Sequence, residues 1–142
     1  MTIPTQMSLQ GFIATAPQLN FTGNGVARFY ARVGVEHYRK ETDGSFTQLE
    51  STFHGLVCYR KTAERAYARF KVGDNFVASG YIHENELERN GQTEAREEFV
   101  ARRIGHDTAR TNYEVDRTPA RQLQPPAADL PTATEPARVV GL

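Results

Sequence analysis

From Arg28 to Tyr38 the chain alternates so that cations and a phenol ring share one side of a strand. Arg28, Tyr30, Arg32 and Glu36 fall in one phase, and Phe29, Ala31, Val33 and Val35 in the other. Tyr38 joins the polar phase beyond Gly34 and Glu36, and Arg39 and Lys40 follow it. Guanidinium and ammonium groups neutralise phosphates. Flat rings offer any base a face to stack on, whatever its identity. A stacked base is worth about 1–3 kcal/mol, so a few rings can dominate the affinity of such a surface. Neutralising about four phosphates makes log K fall with log[salt] at a slope near −3.

Further along, Phe53 and Tyr59 lie in a segment that is apolar in both phases, because His54, Leu56 and Cys58 occupy the other. Either set suits the core, and either suits a subunit interface. By residue type alone Phe53 reads as core, and Tyr59, with its polar tip, as the exposed ring. Lys61 and Lys71 flank a helix, where each fits phosphate contact and a solvated helix end equally well. His37, His54, His83, His106 and Cys58 match no zinc spacing, and Cys58 sits inside an apolar strand. No metal, cofactor or thiol catalysis is expected from them, and His54 reads as a packing or hydrogen-bonding group at a subunit contact. There is no glycine-rich phosphate loop, so no small-molecule substrate and no catalytic residue is expected. Asn20-Phe21-Thr22 has the form of a glycosylation acceptor in a chain with no other mark of secretion.

These residues need strands to carry them. Met7 to Ala16 reads as a first strand, and Leu19 to Gly25 as a glycine-rich turn region. A long second strand runs from Val26 to about Tyr38, and Asp43-Gly44 centres the hairpin turn to a third, from about Gln48 to Tyr59. Ala63, Ala66, Tyr67 and Phe70 then form one apolar stripe at i, i+3, i+4 and i+7, a helix. Strands at Asn75–Ile82 and about Thr93–Ile104 are joined by Asn90-Gly91, a strong hairpin signal. Five strands with a helix between the third and fourth predict an all-β OB-fold, a five-stranded Greek-key barrel.

The composition bounds the rest. With 142 residues, the chain fits one domain and a tail. The domain is expected at 6–110. Residues 118–142 hold five of the seven prolines, five alanines and no aromatic residue, and are expected to be disordered. No apolar run approaches the ~18 residues of a membrane span, so no membrane partner is expected. Met1 to Leu9 lacks the basic start and apolar stretch of a secretory signal. One cysteine excludes an intramolecular disulfide, and a cytoplasmic setting is expected. Net charge is zero, but its distribution is uneven. Residues 28–73 carry nine bases against five acids, an excess of four, whereas 84–98 carry six Glu against two Arg. That acidic hairpin reads as a soluble loop in preference to an electrostatic guide.

Several strings coincide with one known family. Gly25-Val26-Ala27-Arg28-Phe29 resembles the G-x-A-V-A-N-F approach to the second strand of bacterial single-stranded DNA-binding proteins. The segment Ser51 to Glu64 is similar to that family's T-E-W-H-R-V-V-x-(F/W)-G-K-L-A-E. Lys71 to Ile82 is similar to its K-K-G-S-x-V-Y-V-E-G-x-L. The resemblance spans roughly residues 7–107, in order. It implies an OB-fold homo-oligomer, usually a tetramer, that wraps single-stranded DNA and stacks bases on Tyr38, Phe53 and Tyr59. The family's fourth ring falls near Leu87, and the arginine after its Trp-His pair falls at Gly55; both departures imply weaker binding or a shifted mode. The family's acidic C-terminal tip, which recruits replication and repair enzymes, has no counterpart after Glu135, which implies a protective coat, or a plasmid- or phage-type paralogue, in preference to the main replication protein. The rival expectation is an OB-fold module whose aromatic face binds protein.

Overall fold

The computed structural model describes residues 1–119. Its elements run β1 (Met7–Ile13), β2 (Gln18–Phe21), β3 (Ala27–Lys40), β4 (Phe46–Tyr59), α1 (Arg60–Arg69), β5 (Asn75–Arg89), β6 (Gln92–His106) and a single 3-10 turn at Thr108–Arg110. The sheet order is β1-β5-β6-β4-β3-β2, and β1 also pairs with β3, which closes the sheet. All neighbours are antiparallel except β4 and β6, whose parallel pairing spans the crossover through α1. This closed five-stranded barrel with one helix is the OB-fold that the element order predicts. The compact unit spans Met1–Asn112, and a second begins at Tyr113. The Pro/Ala-rich segment lies outside the described residues from 120 onward.

Alternation in β3 sorts the side chains as its sequence requires. Phe29, Ala31 and Val33 are fully buried, facing Leu56 and Cys58 of β4, with Ile13, Phe76 and Phe70 filling the interior. Each large side chain so buried contributes about 1.5–3 kcal/mol. Glycines allow close approach where β1 crosses β3. A Cβ at Gly34 would run into the Phe12 ring, and one at Gly11 into the Gly34 carbonyl.

Four local expectations are corrected. The first strand ends at Ile13. The turn region gives up Gln18–Phe21 to a short strand laid along β3, pairing Leu19 with Phe29. Turn residues dominate that string, but the free edge of β3 offers backbone partners to the part that precedes them. Tyr67 is exposed, so the buried stripe of α1 is Ala63, Ala66 and Phe70, too narrow an arc to include it. The last two strands extend into a long arm that passes Glu84 to Glu98 and turns at Asn90-Gly91. Both turn residues have positive φ, 55° and 76°, as a type I′ hairpin demands. At the other hairpin the Ser45 hydroxyl and amide donate to Asp43 Oδ1 at 2.6 and 2.9 Å, which holds the Asp43 carboxyl below its usual range.

Candidate nucleic-acid interface

The strand register places side chains of four strands in rows across one outer face. Tyr30 of β3 pairs with Val57 of β4, Val57 with Val100 of β6, and Val100 with Tyr81 of β5. Two tyrosines therefore end a row whose middle is two buried valines that stand apart from the interior core. Neighbouring strands lie about 4.8 Å apart, so the two tyrosines stand about 14 Å from each other. One row on, Arg28 pairs with Tyr59; in the other direction, Arg32 pairs with Gly55, Gly55 with Glu98 and Glu98 with His83; Gly34 pairs with Phe53 beyond that.

The chemistry of this face is that of rings beside cations. The Arg28 guanidinium lies 5.6 Å from the centre of the Tyr30 ring, and Arg102 lies 5.1 Å from that of Tyr81. Phe53 is half exposed and meets Phe12 edge-on, centroids 6.4 Å apart. Tyr59 is exposed where β4 runs into α1. The apolar ambiguity of this strand is thus resolved by register: Phe53, Gly55, Val57 and Tyr59 face outward, while Leu56 and Cys58 face the core. Gly55, where the family pattern has arginine, carries the Tyr30 ring: a Cβ there would stand 3.1 Å from Tyr30 Cε1. A cleft of about 820 Å³ opens between these residues and the hairpin arm, with Tyr30, Arg32, Phe53 and His54 on one wall and Glu84, Arg89, Glu94 and Arg96 on the other. Glu98 reaches back to Arg28, Oε2 to Nη2 3.5 Å.

The remaining predicted residues are dispersed. Tyr38 is exposed but lines a separate groove with Glu36 and Arg110, which are themselves paired at 3.2 Å. Eight residues at about 3.3 Å each put it roughly 26 Å along β3 from Tyr30. Arg39 is paired with Glu41 at 3.2 Å, and Lys40 is exposed at the hairpin end. Lys61 lines a groove beside α1, whereas Lys71 is exposed at the turn after the helix. His54 is exposed, and its Nε2 shares the Thr52 hydroxyl with His37, both at 2.8 Å. Cys58 is buried, and burial pushes its thiol up to about 12, far from a reactive thiolate. Sequence reasoning missed Tyr81 and Arg102. The signal for Tyr81 was present, since it falls in the phase opposite Phe76 and Ala78, whereas Arg102 is the extra residue of a bulge in β6 that counting cannot reveal.

A closed OB barrel with rings and guanidinium groups on one open face defines a class of nucleic-acid-binding fold. The particular family follows from the sequence: residues 4–107 match the model of the Single-strand binding protein family, and the chain belongs to it. Membership makes it a binding protein and not an enzyme. The chain is similar in structure to the small single-stranded DNA-binding protein of Streptomyces coelicolor, with a TM-score of 0.64 and 26% identity over 75% of this chain and 97% of that one. It shares its fold with a deletion mutant of the single-stranded DNA binding protein from Thermus aquaticus, with a TM-score of 0.60 and 16% identity over 72% of this chain and 50% of that one. No curated protein sequence matches it.

Proposed function

We propose that this chain binds single-stranded DNA with little sequence preference. Bases stack on Tyr30, Phe53 and Tyr59, and Tyr38 extends the path for strands long enough to follow β3. Phosphates are held by Arg28, Arg32, Lys61 and Lys71, with Arg39 and Lys40 engaging at the far end of β3. The observation that carries this reading is the pairing of rings with cations on one open face, Tyr30 beside Arg28 above all. Stacking on rings is indifferent to base identity, which favours binding with little sequence preference. The role that fits is protection of exposed strands during replication, recombination or repair in the cytoplasm, by a homo-oligomer, a tetramer or a dimer.

The test is fluorescence anisotropy with a labelled dT oligomer and a duplex of equal length. Binding of the oligomer at low salt, far tighter than the duplex, is the expected result. Equal binding, or none, refutes the proposal and leaves the face to a protein partner. Light scattering with and without the oligomer then gives the assembly.

A further inference from the structure

A second basic surface lies next to the ring face, between α1 and β6. Five cations line one groove of about 210 Å³: Lys61, Arg65 and Arg69 from the helix, and Arg102 and Arg103 from the strand. No carboxylate lines it, and none among the described residues pairs with any of the five. Its floor is Ala66, Phe70 and Ile104. Adjacent residues of a regular strand point to opposite faces, so two consecutive arginines should not line one groove. Here a bulge intervenes. Ala101 pairs with Gly80 and Arg103 with Ser79, which leaves Arg102 as the extra residue. Such a bulge re-aims side chains, and it lets both guanidinium groups open on the helix side.

The groove adjoins the ring face at Arg102. Arg102 belongs to both, since its guanidinium stacks over Tyr81 while lining the groove. Lys61 follows Tyr59 by two residues at the start of α1. A strand leaving Tyr59 therefore meets cations without carboxylates in the direction of the helix, whereas in the direction of the hairpin arm Arg89 and Arg96 are interleaved with a larger number of Glu. We infer that the α1–β6 groove is a phosphate track, holding the backbone of the same DNA strand after its bases leave the rings. This rests on the single-stranded DNA reading above and extends it to Arg65, Arg69, Arg102 and Arg103. Like-charged side chains so crowded repel one another in the free protein, and a polyanion relieves that repulsion.

The experiment compares the full chain with an Arg65→Ala/Arg69→Ala/Arg103→Ala variant, whose exchanges are at partly or fully exposed positions and whose two helical ones favour helix. Each is titrated across a salt series with dT oligomers of roughly 5 and roughly 15 nucleotides, the two ends of the OB-fold site range. Losing three phosphate contacts makes the log–log salt slope of the long oligomer shallower by about 2. With the two proteins binding alike at about 1 M salt, a slope difference of about 2 makes the variant's affinity for the long oligomer about 100-fold weaker at about 0.1 M. The short oligomer, confined to the rings, keeps its slope and affinity. A long-oligomer slope unchanged in the variant overturns the track while leaving stacking intact. Failure of the unmodified chain to bind either oligomer overturns the parent reading and the track together. A third titration uses poly-glutamate. If the variant loses peptide affinity but no oligomer affinity, the groove belongs to an acidic polypeptide and the inference is overturned.

Discussion

Glu98 sets up the most discriminating mutation, because it is an acid inside a surface read as phosphate-binding. Its carboxylate lies 3.5 Å from Arg28, with both side chains only partly exposed, at 22% and 30%. A phosphate arriving at Arg28 must displace that carboxylate and then sit near it. Glu98→Gln keeps the shape and removes the charge. At about 6 Å and an effective dielectric between those of surface and bulk, near 40, a carboxylate repels a phosphate charge by about 1.4 kcal/mol. Affinity for dT should therefore rise about tenfold. One further phosphate becomes fully neutralised, so the salt slope steepens by about 0.7. The pair itself is worth at most about 1 kcal/mol, so the fold survives the exchange. Anisotropy over a salt series reads both quantities, and urea unfolding checks stability. An unchanged slope with unchanged or weaker binding would refute the placement of phosphate at Arg28.

Other outcomes follow from the same geometry. Phe53→Ala should weaken a dT oligomer of about 5 nucleotides by roughly 1–3 kcal/mol, while Tyr38→Ala leaves it unaffected, because the two rings line different grooves; equal losses in titration would show that one short strand spans both. Arg60 holds φ at 61°, a left-handed conformation costly for a residue with a long side chain, where β4 runs into α1 after Tyr59. Arg60→Gly should raise stability by about 0.5–1 kcal/mol in urea unfolding, the relief of left-handed strain less the extra unfolded-state entropy of glycine; a loss would mean that the arginine side chain contributes more than its backbone costs. The folded state holds the Cys58 proton more tightly than the unfolded chain, whose thiol has its ordinary pKa of 9.0. That contribution to stability is full below pH 9 and lost as pH climbs toward 12. Iodoacetamide at pH 8 should therefore leave the native thiol unmodified by mass spectrometry, and rapid labelling would contradict its burial.

The barrel was legible because its strands alternate cleanly and its turns carry their own chemistry. Phe29, Ala31 and Val33 against Arg28, Tyr30 and Arg32 orient β3 without help, and Asn90-Gly91 marks the arm. What was not legible depends on partners distant in sequence. Gln18–Phe21 becomes a strand only because β3 has an edge to offer. Which of Phe53 and His54 shares the Tyr30 face cannot be read from a segment apolar in both phases; the pairing of Phe53 with Gly34 and of His54 with Val33 decides it. Gly55 looked like a lost cation, and the structure makes it the seat of the Tyr30 ring. Tyr38 shares a phase with Tyr30, but phase does not measure distance, and an irregularity in pairing between Val35 and His37 sets the hairpin end apart. Bulges are invisible to counting by twos, which is why Arg102 and Arg103 were not read as companions.

The central claim is that unpaired bases lie on Tyr30, Phe53 and Tyr59. Ultraviolet crosslinking of a dT oligomer to the intact chain, with peptide mapping by mass spectrometry, tests it most directly. Adducts at those three rings, abolished by excess unlabelled dT and little competed by duplex, are the predicted result. Adducts confined to surfaces away from the β3–β4 face, with the three rings unmodified, would contradict it.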